Sequence, residues 1–316
     1  MSKSLLPLIL LVFVSSSVVV LNARAAPYLQ IVDRDFNSQV SRPAYIKEHP
    51  RVLFDEAHNN ADTASGRYKP FVELITNDGY AVAPNQAIFS KEALKRYRVL
   101  VIVNATARLG DRDASAFTTE ECAGVQDWVK SGGALLLITD QAPFSTAVLT
   151  LAARFDVSLS KGYTIDSSKY NRGSDDRTEL VFSREDGLIG DHPICNGRDQ
   201  AERVNRIMTF TGTSLRGPSG SVALLKLADT AMDVLPPDRP PLAGEQELDY
   251  KTVSAAGRAQ AVALQFGKGR VVLLTEAAML TAQVAPRGFQ FGMNVPGLDN
   301  RQLALNIIHW LSGLLR

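Results

Sequence analysis

Three carboxylates and two histidines of this chain stand where acid/base chemistry could be built: Asp55, Asp140, Glu276, His58 and His192. In the run Asp55-Glu56-Ala57-His58-Asn59-Asn60, a carboxylate three residues from an imidazole suits proton transfer. The same residues could instead cap a loop and pair with one another. Asp140-Gln141 follows an apolar run at the kind of sharp turn that carries the nucleophile in several α/β enzymes. A carboxylate nucleophile there needs a base and a site that stabilises developing charge; the alternative is a cap for a helix beginning near Pro143. His192 lies in the turn Asp191-His192-Pro193-Ile194, held extended by the proline that follows, and reads either as an acid/base partner or as a neutral loop histidine. His309, beside Trp310, reads as packed. The catalytic candidates are therefore Asp55, His58, Asp140, Glu276 and His192. The ligand-binding candidates are Asp55, Glu56, His58, Asn59, Asn104, Asp140, Gln141 and Glu276. No resident cofactor is expected. A divalent metal would fit only if Glu276 converged on Asp55 and His58 from its own strand. Gly132-Gly133 precedes a strand, the reverse of a phosphate-binding loop, so no nucleotide site is indicated.

Four short apolar runs must position these groups. Val52-Leu53-Phe54 stops at Asp55, residues 99–103 at Asn104, residues 134–138 at Thr139-Asp140, and Val271-Val272-Leu273-Leu274 at Thr275-Glu276. Unbroken β-branched and leucine runs are the mark of parallel strands buried on both faces, and such sheets bind ligands beyond the carboxyl ends of their strands. Thr118-Thr119-Glu120-Glu121 is a helix-start pattern, Val125, Trp128 and Val129 supply an apolar face, and Gly132-Gly133 ends the helix before the next strand, which makes a parallel crossover unit. Residues 144–155 read as a further helix, residues 261–274 as a hairpin about Gly267-Lys268-Gly269, and residues 300–315 as a closing helix. The fold class is α/β, a mostly parallel sheet with β-rich insertions at about 156–190 and 228–258. The second insertion holds Pro236-Pro237-Asp238-Arg239-Pro240-Pro241, which should be an exposed, stiff loop.

The chain has 316 residues, enough for one large domain. Residues 1–25 read as a secretory signal peptide: Lys3, an apolar stretch over 5–21, and Ala23-Arg24-Ala25 before Ala26-Pro27. The competing reading is an uncleaved membrane anchor, and only then would the protein contact a membrane. Residues 26–50 form a lead-in arm and 51–316 the main domain. Formal charge is +1 from 34 basic and 33 acidic residues. No basic block argues for nucleic acid, so the expected partner is a small molecule or an envelope protein, the latter docking through the proline-rich loop or the closing helix. Export implies a periplasmic or secreted location. Cys122 and Cys195 could form one disulfide, but their settings, a helix and a turn, argue against it.

Taken in order, Val52-Leu53-Phe54-Asp55-Glu56-Ala57-His58, residues 132–140, Asp191-His192-Pro193-Ile194, Gly267-Lys268-Gly269-Arg270-Val271-Val272 and Asn306-Ile307-Ile308-His309-Trp310-Leu311 resemble the class I glutamine amidotransferase-like superfamily. The likeness is to its non-amidotransferase branches: trehalose-utilisation-like proteins, gliding-motility transporter-associated proteins and a bacterial family of unknown function. It covers roughly residues 50–315 and implies a flavodoxin-like three-layer sandwich. True amidotransferases of that superfamily carry a cysteine at the turn after the central strand. Here the turn reads Thr139-Asp140-Gln141, so thiol-dependent glutamine hydrolysis is not expected. A ligand-binding or accessory domain of the cell envelope is the first expectation. A hydrolase of a carbohydrate or envelope substrate is the alternative.

Overall fold

The apolar runs become the centre of a nine-stranded sheet. The computed structural model describes residues 30–107, 114–237 and 250–316. The sheet's strands, in chain order, are β1 (Arg51–Asp55), β2 (Ala81–Asn85), β3 (Val99–Val103), β4 (Ala134–Ile138), β5 (Ser158–Leu159), β6 (Leu215–Arg216), β7 (Val222–Lys226), β8 (Ala259–Phe266) and β9 (Gly269–Leu274). Their spatial order is β2-β1-β3-β4-β9-β8-β6-β5, with β7 also paired to β8. The first five are mutually parallel and the rest antiparallel. Counting β9 as the fifth parallel strand gives the flavodoxin-like 2-1-3-4-5 order.

Successive strand residues point to opposite faces, so an all-apolar strand feeds two cores at once. Val52, Phe54, Val101, Leu136 and Val272 pack toward helices α1 (Lys69–Asn77) and α3 (Asn300–Ser312). Leu53, Leu100, Ile102, Leu135 and Val271 pack toward α2 (Thr119–Lys130). Helix, sheet and helix thus make a three-layer α/β sandwich. The α2 start is the capping box expected: Thr118 Oγ1 accepts from the Glu121 backbone N–H, and the Glu121 carboxylate accepts from the Thr118 N–H. Gly269 lets β9 begin against α2; a Cβ there would lie 2.0 Å from the Val129 carbonyl oxygen.

Some expectations change. The helix expected over 144–155 is two short helices, Phe144–Ala147 and Leu149–Ala153, parted at Val148, whose ψ of 0° leaves the helical region. The two insertions are one unit: Tyr163–Asp166 pairs with Ala231–Leu235, which pairs with Lys251–Ser254. Residues 238–249, with most of the proline-rich loop, lie outside the described residues, as do residues 1–29 with the expected signal peptide. The closing helix is buried on nearly every side, Trp310 included, so it is not an exposed docking face. Cys122 and Cys195 are free, buried, and lie in cores on opposite faces of the sheet. The arm is strapped to the domain: Ile31–Val32 pairs antiparallel with Ala282–Val284, and Tyr45 stacks edge-on against Tyr80 at 5.1 Å. No helix among the described residues is long and apolar enough to cross a membrane.

Candidate functional site

The strand ends do not form one site; they divide into two. Asp140 and Glu276 stand two residues beyond Ile138 and Leu274, which are register partners on β4 and β9, so their side chains leave adjacent strands together. With Asn104 after β3 and Gln141, they line a cavity of about 280 Å³. Its other walls come from the loop after β1 (Asp62, Arg67), from Phe210 and Thr211, and from Gln283. The Asn104 amide donates to Asp140 Oδ2 at 2.8 Å and Asp62 Oδ2 at 2.9 Å, and Arg67 closes on Asp62 at 2.7 Å. Asp140 Oδ1 accepts from the Ala277 N–H at 3.2 Å. The Glu276 carboxylate accepts from the N–H groups of Ala278 (2.6 Å) and Met279 (2.8 Å). Asp140 caps no helix, because the Phe144–Ala147 helix has no side-chain cap.

Burial governs the electrostatics. It pushes the Asp140 carboxyl up to about 6 despite the bonds from Asn104 and Ala277. Burial, and then the charge of Asp140, hold Glu276 well above the ordinary carboxylate range. With the two carboxyls buried together, the charge on Asp140 opposes the ionisation of Glu276.

Backbone strain marks the same place. Asn104 has φ +42° and Thr211 φ +70°, the latter a conformation that a β-branched residue rarely holds. Gly212 lets that loop lie on the end of β9, since a Cβ would come within 2.5 Å of the Thr275 carbonyl oxygen and 2.7 Å of Glu276 Cβ. Three side-chain oxygens that line the cavity, Asn104 Oδ1, Gln141 Oε1 and Gln283 Oε1, are buried without a hydrogen-bond partner. Unsatisfied buried acceptors cost about 1–3 kcal/mol each, and they are where an absent donor belongs.

The second group is closed. His58 Nδ1 lies 3.0 and 2.9 Å from the two Asp55 oxygens and Nε2 lies 3.0 Å from Glu121 Oε1, with the ring between Phe89 (4.7 Å) and Phe117 (4.6 Å). Both ring nitrogens face carboxylates, which calls for the imidazolium. Burial alone would lower its pKa, but Asp55 and Glu121 together outweigh that and raise it. Asn60 donates to Asp55 (3.2 Å) and to the Val103 carbonyl (3.0 Å), filling the crevice between β1 and β3. That crevice is the topological switch point where a ligand would be sought first; here the chain's own residues fill it, and the cavity sits farther along, over β3, β4 and β9.

Of the candidates, the structure brings together Asn104, Asp140, Gln141 and Glu276. Asp55 and His58 lie in the closed cluster. Glu56 turns away to accept from the Ala64 N–H (2.8 Å), and Asn59 is exposed, its carbonyl accepting from Thr106. His192 is beside β8 and Trp310, near Arg270 at the start of β9 and so at the other end of that strand from Glu276; its Nδ1 accepts from the Ile194 N–H. Burial, then Arg270, lowers its pKa to about 4, which keeps the ring neutral. Glu276 does not join Asp55 and His58, and no group of metal-holding side chains is found among the described residues. Asp62, Arg67, Thr211 and Gln283 were not foreseen. Asp62, Arg67 and Thr211 come from loops with no periodic pattern and Gln283 from a three-residue strand too short to show one; only the polar run Thr209-Phe210-Thr211-Gly212-Thr213 carried a hint.

No family model and no curated protein sequence matches this chain. Among solved structures, the mmIFT52 N-terminal domain is similar over 83% of this chain and 97% of its own, at 13% identity and TM-score 0.58, a likeness of fold. Others include a ThuA-like protein from Bacteroides uniformis (12% identity, 88% of this chain and 95% of that one, TM-score 0.43) and a GMP synthase component from Thermoplasma acidophilum (9%, 84% and 96%, 0.43).

Proposed function

We propose that this protein is an exported ligand-binding domain of the cell envelope, an amidotransferase-like fold without the catalytic cysteine. Its site is the cavity of Asn104, Asp140, Gln141, Glu276 and Gln283. The observation that carries the reading is the set of three buried, unpartnered acceptors in that cavity, beside a buried carboxyl pair. Unmet buried acceptors of this kind suit a ligand that brings donors to them. Export rests on the pattern of residues 1–25, and protein recovered from a bacterial host should begin at Ala26. The test of binding is a thermal-shift screen of the mature protein against small hydroxyl- and amine-bearing molecules. Hits should be lost in Gln283→Leu, which removes one acceptor, with the unliganded midpoint changed by no more than about 2 °C. Hits that act equally on both proteins would remove the reading.

The carboxyl pair also favours a second reading, a hydrolase using Asp140 and Glu276 as base and acid. His58 and His192 lie outside the cavity, so the pair would act alone. Turnover of glycosides, esters or amides that Glu276→Gln abolishes would establish it; none would set it aside.

A further inference from the structure

We infer that the ligand of this cavity is an organic ammonium ion, its charged head among Asn104, Asp140, Gln141 and Gln283 and its apolar body along Phe210 and Phe291. The inference rests on the ligand-binding reading above and narrows it to one chemical class.

The unmet atoms are all acceptors. Asn104 is 3% exposed and Gln283 2%, and their Oδ1 and Oε1 atoms have no partner, nor does Gln141 Oε1. Most of the donors nearby are already committed. The Asn104 amide serves Asp62 and Asp140, Arg67 serves Asp62, the Gln283 amide serves Thr281, and the N–H groups of Ala277, Ala278 and Met279 serve the two carboxyls. A primary ammonium has three donors and no acceptor, matching three unmet acceptors, whereas a hydroxyl brings one donor and two lone pairs. Charge agrees: Asp62 is answered by Arg67, but no ion pair among the described residues answers Asp140.

A second cavity of about 400 Å³ adjoins the first and shares Gln30, Phe210 and Thr211 with it. Its walls include Phe289 and Phe291, with Phe210 and Phe291 edge to face at 5.3 Å. Aromatic faces there favour an apolar body next to a cation.

Three probes that share one body decide it: 3-phenylpropylamine, 3-phenylpropan-1-ol and 3-phenylpropanoate, titrated calorimetrically into the mature protein. The amine should bind at least about tenfold tighter than the alcohol, as expected for charge-assisted bonds, and the carboxylate should not bind. The preference should widen from pH 5 to 7 as Asp140 ionises among Glu276, Asp62, Arg67 and Tyr68, the titratable groups that face it. Asp140→Asn should bring amine and alcohol within about threefold of each other. Phe291→Ala should weaken the amine and keep its preference over the alcohol. An alcohol that binds as well as the amine overturns the ammonium inference but leaves a ligand-binding cavity standing. No binding by any of the three probes also overturns it; if the broad screen finds nothing either, both readings fall. An amine whose affinity Asp140→Asn does not change, in a variant that remains folded, refutes the assignment to this cavity.

Discussion

His58 and Asp140 carry opposite electrostatic consequences for the same fold. The His58 pKa is raised, so the folded state holds its proton more tightly than the unfolded one. Its contribution to stability is complete below its unfolded value of about 6.5 and fades as pH rises through the folded value. Replacing it with alanine leaves Asp55 and Glu121 buried without a counter-charge, and urea unfolding at pH 6 should show a loss of about 3–5 kcal/mol. The gap between wild type and His58→Ala should narrow by pH 9. Asp140 is also raised, but its charged form is the strained one, so the wild type loses stability as pH climbs from about 4 through about 6. Asp140→Asn should therefore be more stable than wild type by about 1–3 kcal/mol at pH 8 and equal to it at pH 4, read from the same urea curves. A stabilising substitution within a candidate site is what a group held ready for a ligand would show.

At the scale of elements, α2 and the cavity loops differ in what holds them. Thr118→Ala removes one capping bond and should cost about 1 kcal/mol in chemical denaturation. Glu121→Ala should cost about 3 kcal/mol or more, because Glu121 also holds His58 and accepts from the Phe89 N–H at 2.9 Å. The capping box was legible in Thr118 and Glu121 because it is a local pattern four residues long. The parallel strands were legible for a similar reason: each is an unbroken apolar run, and burial on both faces demands that. What could not be read was which way each polar strand end turns. Asp55 and Asp140 both follow apolar strands, and only the tertiary placement of Glu121 and Asn60 draws Asp55 into a closed cluster. Asn104, Asp140, Gln141 and Glu276 were visible as strand-end residues. Asp62 and Thr211 sit on loops, and Gln283 on a three-residue strand, that long-range contacts place.

For the whole molecule, the sheet separates two environments. Cys122 and Cys195 lie on its opposite faces, and burial raises their thiols to about 11 and about 12. Both should resist a thiol reagent in the native state and both should react in guanidinium, even in protein purified without reductant; a single reactive thiol or none in guanidinium would contradict the arrangement. The arm matters to the same extent. Deleting residues through Asp35 removes Gln30 and the strand at Ile31–Val32 that backs Gln283, and should abolish ligand-induced thermal shifts while the fold persists. Deleting through Pro50 also strips Tyr45 from Tyr80 and from Ser312, its hydrogen-bond partner at 3.0 Å, and should lower the thermal midpoint.

The pairing of Ile31–Val32 with Ala282–Val284 also has a temporal side. Most of the described residues separate those two strands, and β9, which leads to Glu276, enters the sheet between β4 and β8. During synthesis the cavity cannot form until Glu276 and the strand at Ala282–Val284 have been made. Contacts this distant in sequence form slowly, so the site is among the last parts of the fold to assemble. Binding would then hold assembled molecules folded by mass action.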